Sequence, residues 1–437
     1  MGPYKNTFDG KALMLKIGVA QIDITPIESV WLVGYGDREH RSEGTYQPLR
    51  AGALLLHGRE DSALLITADL IGYDLAFAAE CKALLADATG LLPRQIVLTA
   101  THTHCAPFFY PWIMPGHPEK NYALFLKERL VEVAKRAQGN TQPGTVSFAR
   151  GTSTFGVNRR RPDGKGGVSF APHPSGAMDR DLDTLWCTDL QDRPIASLTF
   201  FGCHPTSLGG YLIGGDYPGY LCRSLEEETG VPALFATGCA GNIRPWYGED
   251  PDRFTRPTFD ELAAAGRVLA QEVLATLGDA VSVQSDNLRI DSAFHLLPYA
   301  DLPTGEALQE FAESSDPRRR DWAATMQAHL SKGPLPNGCP QEIQALHLDD
   351  EHCALFLGGE VLTEIGLHLK GALRPRTTIT CAYANGLIAY VPSKETYDLG
   401  GYEVDGSYHL FIRPAPFVRD VESRIIQQST HLMNTLH

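Results

Sequence analysis

An α/β fold, with a large mixed or parallel-type sheet, helices packed around it and an active site at the carboxyl ends of its strands, is what this sequence predicts. Three observations carry the prediction: apolar runs of strand length, apolar stripes at helical spacing between them, and an opening unit that reads β-β-α-β. Residues 16–25 alternate as a half-buried strand does. Residues 51–57 and 62–68 are apolar runs separated by Gly58, Arg59, Glu60 and Asp61, a hairpin signature. Residues 75–89 carry apolar side chains at helical spacing and meet a helix stop at Gly90. Residues 95–100 (QIVLTA) return as a short apolar strand of the kind that is covered on both faces.

The alternation continues beyond this unit. A helix is expected near 119–138, where Tyr122, Leu126, Leu130, Val133 and Ala137 form one stripe before Gly139; its plain role is core packing. Strands are expected at 145–150, 184–190, 195–202, 233–237, 281–288, 343–348, 353–357 and 378–382, and helices at 217–228, 258–277 and 321–330. Segments 157–181, 241–257 and 331–340 are rich in Gly, Pro and charge and read as long loops, which in compact domains are functional or disordered. No repeat, low-complexity tract or linker divides the chain. Residues 14–437 are therefore expected to form one large domain after a short disordered leader at 1–13.

A chain of 437 residues can bury a closed active site. It holds no apolar run of about eighteen residues, so no integral membrane segment is expected. Its start lacks the apolar core of a secretion signal, which makes the cytoplasm the expected location. Nine cysteines scattered without CxxC spacing argue against a disulfide framework or a cysteine zinc knuckle. With 52 acidic against 38 basic residues the formal charge is −14, which disfavours nucleic acid as a partner.

Chemistry gathers where strands end. TATHTHCAP (99–107) places His102 and His104 just past the 95–100 strand, and in an extended backbone residues two apart point the same way. Such a pair suits a metal or catalysis, and equally a hydrogen-bonded loop. His204, in FFGCHPTSL, follows the 195–202 strand; alone it is as readily structural. Glu360 ends CALFLGGE, where a strand exits through two glycines; a carboxylate there also satisfies free N–H groups at a helix start. The argument lies in the repetition: three strand exits each deliver a zinc-type ligand, and such exits converge on one rim in a parallel-type sheet. GVNRRRP (156–162) puts Arg159 in a basic stretch that reads equally as a solvated loop, and GGDYPGY (214–220) reads as a turn entering a helix, with Asp216 near its N-terminus. The GxSxG, HExxH and HxHxDH signatures of other hydrolases are missing.

Taken in order, these motifs resemble those of the neutral, non-lysosomal ceramidases, zinc amidases that split ceramide into sphingosine and fatty acid. The resemblance runs through DITP (23–26), ADL (68–70), ATHTH (100–104), NR (158–159), HPTS (204–207), GDYPG (215–219), GCAGNIRP (238–245), GE (359–360), ANGLIAYV (384–391) and YE (402–403). It covers nearly all of residues 16–410. It implies one zinc per chain, held by His102, His204, Glu360 and Tyr390, with His104, Arg159 and Tyr402 acting on the scissile amide. Tyr390 enters the ligand set only through the resemblance.

The sequence departs from the family pattern at Cys105, Ala106 and Arg160, and the C-terminal immunoglobulin-like domain of secreted relatives is not expected here. The implied function is zinc-dependent hydrolysis of an N-acyl amide, possible homo-oligomers included, on a small-molecule amide that extends to N-acyl lipids. Two alternatives stay open: a small polar soluble amide or ester, or an isomerase or lyase reaction, on the same scaffold, and an inactive metal-binding homologue. Zinc lowers the pKa of bound water from about 15.7 to about 7, a shift on the order of 12 kcal/mol in proton-removal cost. Zinc with Arg159 or Tyr402 would then stabilise the oxyanion while His104 passes a proton to the leaving nitrogen.

Overall fold

In the computed structural model, residues 14–248 and 250–436 are described; the leader expected at 1–13 lies outside the described residues. The strand Leu15–Asp23 alternates as its sequence suggests and pairs antiparallel with Arg50–His57 on one side and Gln142–Thr152 on the other. Around it a large sheet is laid out in the order 233–237, 194–201, 181–189, 142–152, 15–23, 50–57, 62–68, 96–100, with Val281–Ser282 added to Gln142–Thr152. The sheet is mixed. Its interior pairs are antiparallel, and parallel pairing is confined to its ends, where Ser62–Ala68 meets Ile96–Ala100 and Pro194–Phe201 meets Ala233–Thr237.

Those two ends carry the histidines, and the sheet curls until they meet. The Thr237 hydroxyl donates to the Thr101 carbonyl at 2.6 Å, and Leu234 packs so closely on Gly52 that an added Cβ would lie 2.5 Å from it. The seam is closed by the chain just after the strand Thr377–Cys381. There Ala382 N–H donates to Thr237 O, Ala100 N–H donates to Tyr383 O, and Asn385 N–H donates to Leu98 O at 2.8 Å. Tyr383 and Asn385 hold left-handed φ values of 56° and 54° to make these turns.

Thr377–Cys381 belongs to a second sheet, ordered 289–298, 338–347, 352–357, 377–381. Glu360 leaves this second sheet, so the ligand-bearing exits do not share one rim of one sheet as expected; two sheets bring them together. The helices Leu75–Thr89 and Lys120–Gly139 pack on the large sheet. The first is capped by the Asp74 carboxylate, which accepts from Phe77 N–H at 2.8 Å, and ends at Gly90 with φ 76°. All five residues of the predicted stripe in the second are buried. The helices Asp216–Thr229, Phe259–Thr276 and Pro317–Leu330 stand where helices were predicted. Among the described residues, no helix is long and apolar enough to cross a membrane.

Two expectations are corrected. The segment 281–288 is strand only at Val281–Ser282; the chain then turns and starts a new strand, Arg289–Pro298. The segments 157–181 and 241–257 are not merely loops. Gly156–Pro162 and Val168–His173 form a hairpin to which Ile243–Pro245 adds a third strand. The two irregular segments satisfy each other's backbone, which neither shows alone.

The sheets are locked in register by a buried polar network. Lys82 Nζ donates to Glu342 Oε1 at 2.7 Å and to Gln344 Oε1 at 3.1 Å, and Asn385 Nδ2 donates to the same Gln344 oxygen. Lys82 and Glu342 are both nearly inaccessible to water. Removing one partner strands the other charge in a poorly solvated site. We expect Glu342→Ala to cost about 3–5 kcal/mol, read as a lower urea midpoint, with Lys82→Met/Glu342→Leu recovering most of it. An unchanged midpoint in Glu342→Ala would refute this role.

Candidate metal centre

His102 follows Ile96–Ala100 in a left-handed conformation, φ 66°, which is uncommon for a residue with a side chain. Two bonds hold it there: its N–H donates to Leu70 O at 2.8 Å, and its ring Nδ1 contacts Ile71 O at 2.5 Å. His204, past Pro194–Phe201, is fixed in the same manner, with Nδ1 2.9 Å from Ala240 O. A backbone carbonyl is only an acceptor, so each Nδ1 carries the proton and each Nε2 of the neutral ring offers a lone pair. These two Nε2 atoms are 2.9 Å apart, and each lies 3.3 Å from Glu360 Oε2.

Three acceptors therefore face one point. Both histidines have zero exposure, and Glu360 Oε2 is buried without a hydrogen-bond partner. Two donors bound at about 2.0–2.2 Å to one tetrahedral ion stand roughly 3.3–3.6 Å apart. The imidazole-to-carboxylate spacings match this, and the imidazole pair is slightly closer. A divalent cation resolves both the mutual repulsion and the orphaned oxygen, so these residues fit one.

The glycine-rich loop after Ala233–Thr237 sets two of the three donors. Ala240 O orients His204, and Gly241 N–H donates to Val361 O at 3.0 Å, beside Glu360. A Cβ at Gly241 would come within 2.6 Å of Glu360 O, so glycine is needed there. The short strand Glu360–Val361 pairs in parallel with Tyr390–Val391, with Glu360 directly opposite Tyr390. Tyr390 is buried; burial and then the Glu360 charge push its hydroxyl well above its ordinary range, and a bound cation would act in the opposite direction.

His104 differs from the other two imidazoles. It is only partly buried, its Nδ1 sits 3.1 Å from Gly34 O, and its Nε2 lies 3.4 Å from His102 Nε2. The three histidines offer nitrogens that all lie close enough to surround one ion. Gly34, at φ 101°, approaches so closely that an added Cβ would be 2.4 Å from His104 Nδ1. Burial, and then the neighbouring His102 ring and Arg38, hold His104 well below the usual histidine range. His204 is depressed likewise, by burial and then by His102 and Arg159.

Arg159 is buried, which corrects the solvated-loop reading of GVNRRRP. Its Nε donates to Glu403 Oε1 at 2.8 Å, and Arg160 donates to Glu403 Oε2 at 2.5 Å. Burial alone would raise the Glu403 carboxyl, but Arg159 and Arg160 outweigh it and hold it below the usual range. The Arg159 guanidinium lies 5.4 Å from the Tyr390 ring and 5.9 Å from that of Tyr402, and the two tyrosine rings are 5.3 Å apart. Tyr402 is 44% exposed. All seven residues singled out in the sequence thus meet in one region.

One neighbour went unnoticed in the sequence. The Tyr383 ring lies 4.1 Å from the His102 ring at a tilt of 32°, and its hydroxyl is 3.4 Å from His204 Nδ1. Its place immediately before ANGLIAYV was the available signal.

The chain is similar to known proteins in sequence and in fold. The sequence profile described as "Neutral/alkaline non-lysosomal ceramidase, N-terminal" matches residues 15–240. The neutral ceramidase of Mycobacterium tuberculosis is 25% identical over 370 residues, covering 75% of this chain and 55% of that protein. Neutral ceramidase B of Dictyostelium discoideum is 24% identical over 240 residues, or 51% of this chain and 33% of that protein. The chain thus spans little more than half the length of the first of these relatives. Among solved structures, the neutral ceramidase from Pseudomonas aeruginosa superposes with a TM-score of 0.74 at 20% identity, covering 97% of this chain and 74% of that one.

Proposed function

The chain belongs to the neutral/alkaline non-lysosomal ceramidase family, and from that membership we propose that it is a zinc-dependent amidohydrolase cleaving an N-acyl amide bond. The observation that carries the proposal is the convergence of His102 Nε2, His204 Nε2 and the unpartnered Glu360 Oε2 within 3.3 Å of one another. Tyr390, paired with Glu360, is the fourth ligand in this reading. When bound, a zinc ion supplies water that ionises near neutral pH and a Lewis acid for the carbonyl.

The protein's own groups do the rest. Arg159 has one nitrogen, Nη2, buried and unpaired, free to donate to a carbonyl oxygen as negative charge builds on it. Glu403 holds the guanidinium in place for that task. His104 keeps its Nδ1 on Gly34 O and turns Nε2 toward the cluster, 3.4 Å from His102 Nε2. That atom can take up a proton and deliver it to the leaving nitrogen. Tyr402, whose ring lies 5.3 Å from that of Tyr390, is a second donor to the carbonyl.

Metal analysis combined with product analysis tests the reading. The purified protein, reconstituted with zinc, is expected to hold one equivalent and to release amine and carboxylate from at least one member of a panel that includes ceramide, simple N-acyl amines and the matching esters. One bound zinc with no hydrolysis anywhere on the panel would favour a binding protein instead.

A further inference from the structure

The hairpin that the sequence concealed places a second arginine beside the metal site. Ile243–Pro245 lies antiparallel to Gly156–Pro162, with Arg244 opposite Val157, and Arg159 N–H donates to Asn242 O at 2.8 Å. Arg159 and Arg244 therefore stand diagonally across two paired strands. Their guanidinium carbons lie 5.6 Å and 5.3 Å from the ring centre of the same Phe170, which is 57% exposed. Phe254 stands against both Phe170 and Arg244, at 5.4 Å and 5.2 Å.

Arg244 is also tied to the histidines. Its Nη2 donates to Thr206 O at 3.2 Å, a carbonyl shared with the Tyr35 hydroxyl, and the Tyr35 ring lies 5.0 Å from His104. One aromatic ring thus separates Arg244 from the proposed proton carrier. Like charges placed this closely repel, and the described counter-charge is committed elsewhere. Glu403 is shared by Arg159 and Arg160 through its two oxygens, and among the described residues no carboxylate forms an ion pair with Arg244. Arg159 is 5% exposed yet leaves Nη2 without an acceptor. Burial depresses the Arg244 guanidinium, Arg159 and Arg256 add to that, and Tyr35 and the buried Asp216 oppose it without cancelling it; a bound anion would reverse the shift. All of this sits on a protein whose formal charge is −14.

We propose that this rim is an anion subsite, and that the amide cleaved at the metal carries a carboxylate held by Arg244 over the Phe170 ring, while the Arg159 Nη2 beside it stays on the scissile carbonyl. This rests on the amidohydrolase reading. It deepens that reading by naming the substrate class: a small N-acyl amide with a free carboxylate, on either the amine or the acyl side. Planar guanidinium groups match carboxylates in pairs of parallel hydrogen bonds, and Phe170 and Phe254 offer an apolar face to the intervening methylenes. Hydrolysis consumes one water: the C–N bond breaks, hydroxyl joins the acyl carbon, and hydrogen goes to the amine.

Matched substrates decide it on the zinc-loaded enzyme. N-octanoylglycine is compared with N-octanoylglycinamide, and N-octylsuccinamic acid with its terminal amide, by kcat/KM and by Kd. The carboxylate of at least one pair is expected to be favoured about 10- to 100-fold, and the pair showing it tells which side of the amide bears the anion. Arg244→Gln should collapse that ratio toward one, and Arg244→Lys should restore only part of it. A wild-type ratio at or below one in both pairs, in kcat/KM or in Kd if neither pair turns over, overturns the subsite without needing any variant. Turnover of ceramide and the neutral amides with no carboxylate preference would sink the subsite and leave the amidase standing. A carboxylate preference in Kd with no hydrolysis of any amide would sink the amidase and leave the subsite.

Discussion

His102→Ala is expected to leave a folded protein that no longer retains zinc and whose amide hydrolysis has fallen by more than about a thousandfold. The expectation follows from how few donors the site has. His102 Nε2 is within 3.3 Å of both His204 Nε2 and Glu360 Oε2, so its loss opens one whole side of the coordination shell. It also leaves the Ile71 carbonyl without its ring donor. Loss of a supporting partner one shell further out already costs roughly 10- to 100-fold in metal affinity or activity, so removal of a ligand should cost more. His204→Ala should behave alike, because its ring is held in the same way by Ala240 O. Zinc content after dialysis, measured by atomic emission beside a thermal melt, separates metal loss from unfolding. A fully metallated, fully active His102→Ala protein would show that the cation, if any, sits elsewhere.

The meeting of His102 and His204 was legible in the sequence for a definite physical reason. An imidazole placed directly after a short apolar strand is fixed by that strand, and the structure puts both His102 and His204 at the outer, parallel pairs of the large sheet. The helix Leu75–Thr89 was equally legible, since its stop at Gly90 is written in one residue. What could not be read is whatever depends on distant partners. In Gly156–Pro162 the run of arginines hides the strand period, and partners far along the chain, Glu403 for both and the Gly400 carbonyl for Arg160, turn two of those arginines into buried residues. The partner strand Ile243–Pro245 is too short to announce itself. Glu360 was found, but its origin in a second sheet was not, because the network of Lys82, Glu342, Gln344 and Asn385 that aligns the sheets joins residues remote in sequence. The C-terminal helix Val421–Thr435 went unpredicted although Val421, Ile425, Ser429 and Leu432 are buried at helical spacing; Ser and the flanking polar residues dilute the stripe.

The subtler experiment concerns His104, whose closeness to His102 admits two roles, third imidazole ligand or proton carrier. As a proton carrier it is expected to tolerate replacement without loss of metal: His104→Ala should keep one zinc per chain while its turnover of an alkyl amide drops by about 10²–10⁴-fold. The geometry leans this way because His104 Nε2 stands 3.4 Å from His102 Nε2, farther than the 2.9 Å between the Nε2 atoms of His102 and His204, the two imidazoles that also meet Glu360 Oε2 at 3.3 Å. The chemistry supplies the sharper discriminant. An alkylamine departs only once protonated, whereas p-nitrophenolate departs unaided, so the loss on a p-nitrophenyl ester of the same acid should stay below about tenfold. Gly34→Ala gives a milder version of the same defect, since the added Cβ would press within 2.4 Å of His104 Nδ1 and tilt the ring away from its carbonyl. Equal losses on amide and ester with zinc intact would reduce His104 to a packing residue, and loss of zinc together with activity would move it into the ligand set.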